Sequence, residues 1–209
     1  MLSNLSGSEL VIVLLSIIIA LSIHEAMHAY VAHWLGDTTA QDMGRLTLNP
    51  LKHIDAVTTV LLPMILILSG FPPFFIAKPV PFNPDRVKYD EFGAAMVGVA
   101  GPLTNLVLAG LAATAFRLWG ADLSSFLYNS LIIFTEVNIG FFIFNMIPFP
   151  PLDGSRLLYA FAPEPLQDVM RQIEGFGFVG IIIFMLIIFR FISGPIVNIE
   201  NSILNFLLG

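Results

Sequence analysis

The chain has 209 residues, a net charge of −6 and no cysteine; 56% of its residues are hydrophobic and 11% charged, with a mean hydropathy of +0.86. A soluble domain carries about 25% charged residues, so this chain cannot cover its surface with polar groups, and the solvent it expects is lipid. The composition excludes disulfides, thiolate metal sites and a cysteine nucleophile, and without a basic run it gives nucleic-acid binding no support.

The expected fold is all-α and polytopic, with about five to six membrane-embedded helices. No hydrophilic stretch of domain size interrupts it, so 1–209 is read as a single integral-membrane domain. The first helix is expected over 8–35, long enough to span about 30 Å of hydrocarbon at 1.5 Å per residue. Gly36 and Asp37 end it. No basic n-region precedes it, so it reads as a retained helix and not a leader. Residues 38–55 are polar. The alternation Arg45-Leu46-Thr47-Leu48 followed by Asn49-Pro50 reads as a small surface β hairpin, with a plain linking loop as the alternative.

Residues 57–76 are apolar but broken by Pro63, Gly70, Pro72 and Pro73; the proline-rich stretch 77–91 cannot be regular helix. A spanning helix follows over 92–118, lined with glycine and alanine that let membrane helices approach closely. It contains Pro102 and then Asn105, read as a helix-to-helix hydrogen bond. Another span covers 126–147 and is broken by Pro148, Pro150 and Pro151. Beyond it come a weaker helix over 157–172, an apolar helix over 176–191 and a short interfacial segment over 196–208. No internal repeat is visible.

Chemistry concentrates in the first helix. His24, Glu25 and His28 have the spacing H-E-x-x-H. Positions four apart share a helix face, so both imidazoles can meet one metal ion, and Glu25 can then take a proton from water activated there. Catalytic zinc takes three protein ligands and keeps one open position, so a third ligand must come from elsewhere. His33 points away, and His53 lies in the polar loop. Asp153 stands out, flanked by prolines and glycine where broken backbone can aim it inward. Glu136 is the second candidate, with a plainer reading as a hydrogen-bonded carboxyl within the bundle.

Together these pieces carry a resemblance. His24-Glu25-x-x-His28 in a membrane helix, Gly101-Pro102-x-x-Asn105 in a later one, and Asn145-x-x-Pro148-x-x-Pro151-Leu152-Asp153-Gly154 resemble the site-2 protease family of intramembrane zinc metalloproteases. The stretches GRLTLNPLKHID and AKPVPFNP look like those of its short prokaryotic members, without a PDZ or CBS-like appendage. The resemblance implies one Zn2+ per chain, held by His24, His28 and Asp153, with Glu25 as acid/base and Asn145 aiding substrate or oxyanion binding. It implies a protease core over about 8–156 and C-terminal helices over 157–209. The implied partners are a transmembrane protein substrate and the lipid bilayer; the oligomeric state is left open. A membrane metal transporter or metal-binding scaffold is the rival reading.

Parity adds a topology. His24 and Asp153 must meet on one side of the bilayer, and the two spans 92–118 and 126–147 return the chain to that side. The segment near 57–76 is therefore expected to be re-entrant or interfacial. Arg45, Lys52, Lys78, Arg86, Lys88 and Arg156 then share one side, with Arg117 and Arg171 opposite. The positive-inside rule makes the basic side cytoplasmic. A multi-pass protein of the cell membrane is expected, with its site toward the cytoplasm and its N-terminus outside. The hairpin at 45–49 is expected to receive an unwound substrate by strand addition.

Overall fold

The computed structural model describes residues 6–61, 65 and 77–209. Helix α1 runs Gly7–Trp34. Ser6 starts it: its hydroxyl accepts from the Glu9 N–H, and the Glu9 carboxylate accepts from the Ser6 N–H. Gly36 stops it at a φ of 109°, a left-handed position that glycine takes without strain. The Asp37 N–H then closes on the Ala32 carbonyl at 2.9 Å.

Further helices with bounds among the described residues are α2 (Thr39–Asp42), α3 (Asp90–Trp119), α4 (Ser125–Asn145), α5 (Ser155–Phe161), α6 (Glu164–Gly175), α7 (Gly177–Ile183) and α8 (Phe189–Leu208). Four helical stretches are long and apolar enough to cross a membrane: α1, α3 with its extension to Asp122, α4 and α8. The expected five to six is thus four among the described residues. Part of the difference lies at the C-terminal end. The segments expected at 176–191 and 196–208 are one helical run, in which α7, a wide turn at Phe184–Ile188 and α8 follow without a break, and Pro195 sits inside α8. A proline removes one backbone bond, but in apolar surroundings leaving the helix would forfeit many more.

Helix α3 packs against both α1 and α4. Small residues stand at these contacts: Ala32 of α1 packs on Val97 of α3, Gly101 of α3 lies against the His24 and His28 rings of α1, and Ala109 of α3 packs on Ile139 and Ile143 of α4. With only small side chains there, the helices approach closely enough for polar groups on neighbouring helices to touch. Helix α8 covers α3 and α4 through Ile196, Ile203, Leu204 and Leu207, packed around Ala109, Ile139 and Ile143.

The hairpin expected near Arg45 to Asn49 is absent, and no strand occurs among the described residues. The backbone groups that a ladder would use are engaged locally. The Arg45 N–H donates to the Ala40 carbonyl at 2.8 Å and the Thr47 N–H to the Arg45 carbonyl at 3.0 Å. The His53 ring, through Nε2, donates to the Thr47 carbonyl at 2.7 Å. The Asn49 N–H goes to the Thr47 hydroxyl at 3.2 Å. A short alternation does not compete with such side-chain and turn bonds.

Of the expected re-entrant segment near 57–76, Ala56–Leu61 is a wide helical turn; 62–64 and 66–76 lie outside the described residues. Its two ends are nevertheless joined. The Lys78 N–H donates to the His53 carbonyl at 2.9 Å, and the Lys88 N–H to the Leu35 carbonyl at 2.9 Å. The chain thus leaves α1 and enters α3 at one place. Arg171 does not lie opposite Arg156 as expected. Helices α5 and α6 have 7 and 12 residues, too short to cross, and Arg156 pairs with Glu174 near the end of α6 at 2.9 Å.

Candidate metal centre

His24 and His28 lie one turn apart on the buried face of α1, 3% and 9% exposed. Their Nε2 atoms are 3.0 Å apart, with the rings nearly perpendicular at 80°. Asp153 arrives from the loop after α4. Its Oδ2 lies 3.0 Å from Nε2 of His24 and 3.4 Å from Nε2 of His28. That loop is folded back by the Gly154 N–H, which donates to the Asn145 carbonyl at 2.7 Å. Gly154 has no room for a side chain, because a Cβ there would strike the Met146 carbonyl. The prolines break the helix, and the glycine lets the chain double back beside it.

The other nitrogen of each ring is also held. Nδ1 of His28 lies 2.7 Å from the Val97 carbonyl, which can only accept, so this nitrogen carries a proton and, in the neutral ring, Nε2 is bare. Nδ1 of His24 lies 2.6 Å from Oδ1 of Asn105. That amide donates through Nδ2 to Oδ1 of Asn138 at 2.9 Å and to the Ala20 carbonyl at 3.4 Å, so its oxygen faces the ring. With both imidazoles neutral, their Nε2 atoms present lone pairs toward each other and toward a carboxylate oxygen. In that state three acceptors converge with no donor among them, an arrangement that a bound cation relieves. In a tetrahedral zinc site with bonds of about 2.0–2.1 Å, ligand atoms lie roughly 3.3 Å apart, close to the separations seen. Gly101 completes the cradle: a Cβ there would lie 2.5 Å from Nε2 of His28 and 2.6 Å from Nε2 of His24. Among the described residues, His24, His28 and Asp153 form the group able to hold a metal ion, and the donor set fits zinc.

Glu25 is buried beside these atoms, and its Oε2 accepts the Val80 N–H at 2.8 Å. Val80 belongs to a strap, residues 77–83, which passes over the site without helix or strand. Pro79 and Pro81 flank it and carry no N–H, so the one donor between 79 and 81 is the one given to Glu25. The strap is tied down on both sides of this point. The Arg45 guanidinium donates to the Lys78 carbonyl at 2.6 Å, and the Asn83 N–H donates to Oδ2 of Asp37 at 2.7 Å. Burial works to raise the Asp37 carboxyl, but hydrogen bonds from the Thr39 hydroxyl and the Asn83 and Thr39 N–H groups outweigh it and hold the group below its ordinary value.

Two cavities reach the centre and share Glu25, Pro79, Pro151, Leu152 and Asp153. One, of about 140 Å³, extends past Phe141, Phe144 and Ile181, and Asn145 lines it. The other, of about 290 Å³, runs past His28, Phe82, Gly98 and Arg156. Asn145 donates one amide hydrogen back to the Phe141 carbonyl at 3.0 Å.

The residues expected at the site are thus gathered together: His24, Glu25, His28, Asn145 and Asp153. Glu136 is not among them; its charged neighbour is Glu200 of α8. His53 is buried in the loop it braces, and His33 is exposed. Asn105 does bond between helices, and one of its partners is a ring at the site. Val97, Asn138 and the Val80 N–H were not legible beforehand. Two of them act through the backbone, and Asn138 is a lone amide in an apolar helix that no motif marks.

No protein-family model matches the chain, and no solved structure does. Curated proteins do. A Bacillus subtilis protein named "Putative zinc metalloprotease YwhC" is 33% identical over 192 residues, 88% of this chain and 84% of that protein. Proteins named "Putative zinc metalloprotease Rip2" are 26% identical: the one from Mycolicibacterium smegmatis over 84% of this chain and 67% of its own length, the one from Mycobacterium tuberculosis H37Rv over 86% and 66%. A likeness of that extent to zinc metalloproteases, joined to a zinc-compatible donor set on helices apolar enough for a bilayer, assigns the chain to the site-2 protease family of zinc metalloproteases.

Proposed function

We propose that the protein is an intramembrane protease, a single domain over 1–209 that hydrolyses a peptide bond within or near a transmembrane helix of another protein. His24, His28 and Asp153 hold one zinc ion. The observation that carries this reading is the convergence of two imidazoles on a helix fit to cross a membrane with a carboxylate from the loop after another such helix. Zinc bound there supplies Lewis acidity, polarising a carbonyl and lowering the pKa of water toward about 7.

Glu25 takes a proton from the attacking water and hands it to the departing amine. The water oxygen joins the carbonyl carbon as the C–N bond breaks. The Val80 N–H occupies Oε2 of Glu25, which steadies the carboxylate. The amide of Asn145, on the cavity wall beside Asp153, donates to the carbonyl oxygen as charge builds on it. A substrate helix hides its carbonyls in its own hydrogen bonds and must unwind locally to reach these groups. The flanking basic residues Arg45, Lys52, Lys78, Arg86, Lys88 and Arg156 favour a centre facing the cytoplasm and an N-terminus outside.

The test is cleavage of a model transmembrane peptide by the reconstituted protein, with zinc content measured alongside. Glu25→Gln is expected to keep the zinc and lose about 10²–10⁴-fold in hydrolysis. Metal binding and transport without cleavage in the unaltered protein would favour a transporter or scaffold instead.

A further inference from the structure

A neutral imidazole carries its proton on one nitrogen, and only the bare one can bind a cation. For His24 the choice is made two residues away. Asn138 is fully buried in α4 and is not part of the metal-binding group. Its amide faces the Phe134 carbonyl at 2.8 Å through Nδ2. A carbonyl can only accept, so the NH2 must face Phe134 and Oδ1 must face the other way. There it accepts from Nδ2 of Asn105 at 2.9 Å. Asn105, also fully buried, is thereby turned with its oxygen toward the ring, 2.6 Å from Nδ1 of His24. Every direction in this chain descends from backbone carbonyls, of Phe134 and Ala20, which cannot exchange roles.

We propose that Asn138 is a positioning residue: acting through Asn105, it fixes the proton of His24 on Nδ1 and so keeps Nε2 bare for zinc. This rests on the reading of His24 as a ligand. His28 needs no such relay, because the Val97 carbonyl holds its Nδ1 directly at 2.7 Å. The two histidines therefore differ in a way that gives an internal control.

The experiment uses the full chain in detergent or bilayer, zinc as the probe, a chelator competition for affinity, and ¹⁵N spectra of the histidine rings in metal-free protein with neutral imidazoles. In the unaltered protein, both rings are expected to carry the proton on Nδ1. Asn138→Leu is expected to lower zinc affinity by roughly 10–100-fold, the range for losing a partner behind a ligand. It should give His24 a mixture of tautomers and leave His28 unchanged. Asn138→Asp, kept neutral by burial, can still accept with one oxygen and donate with the other; it should retain the unaltered affinity and tautomer. A proton on Nε2 of His24 in the unaltered protein would overturn the proposal, and needs no variant to fold. So would full zinc affinity in Asn138→Leu, a shift of His28 along with His24, or loss of the tautomer in Asn138→Asp. His24→Ala separates the two layers. If it binds zinc normally, the ligand reading fails; if it loses zinc while Asn138→Leu does not, only the relay fails.

Discussion

At the scale of the residue, the centre is a problem in placing lone pairs. Two imidazoles and a carboxylate are polar groups in surroundings that penalise each of them unless paired. Each ring is turned by a fixed acceptor at Nδ1, so both Nε2 atoms converge with Oδ2 of Asp153. Gly101 contributes by lacking a side chain. Gly101→Ala would put a methyl group 2.5–2.6 Å from both Nε2 atoms, which the rings can relieve only by turning away. Zinc affinity is expected to fall by about tenfold or more, measured by chelator competition, with helix content by circular dichroism unchanged. A Gly101→Ala protein that binds zinc as tightly as the parent would show that the cradle is looser than these distances say.

At the scale of the element, the strap 77–83 links the polar loop after α1 to the acid/base residue. Its prolines leave few N–H groups, and the one at Val80 goes to Glu25. Arg45, only 6% exposed, anchors the strap through the Lys78 carbonyl. A hydrogen bond from a charged donor contributes about 1.5–3 kcal/mol. Arg45→Ala is therefore expected to speed amide exchange at Lys78 and Val80 by an amount equivalent to that range, and to reduce cleavage while zinc stays bound. Exchange at Val80 matching the parent would mean that the strap is held by other contacts. The alternation around Arg45 that reads as a strand serves instead to present this anchor, because its backbone is already engaged with Ala40 and His53.

At the scale of the whole molecule, a mostly apolar chain must bring His24 and Asp153 together although 129 residues separate them. The paired ends at His53 and Lys78, and at Leu35 and Lys88, return the chain to one place before α3 begins. Helices α3 and α4, running out and back, then bring Asp153 to the histidines. On the proposed topology the link between α3 and α4 faces the outside. Because the chain has no cysteine, Ala121→Cys, exposed in that link, offers a single label. It is expected to react from the extracellular side, and labelling from the cytoplasmic side alone would refute the topology.

The sequence by itself pointed to the lipid solvent, the helical fold and the candidates His24, Glu25 and His28, because composition and short-range spacing depend only on neighbours along the chain; it singled out Asp153 by its proline and glycine setting and by a family resemblance. Only the tertiary structure decided the number of apolar helices long enough to cross, the strap over Glu25 and the amides behind His24. Those rest on which backbone carbonyls and N–H groups meet across helices, and contact between distant stretches leaves no periodicity in the sequence to read.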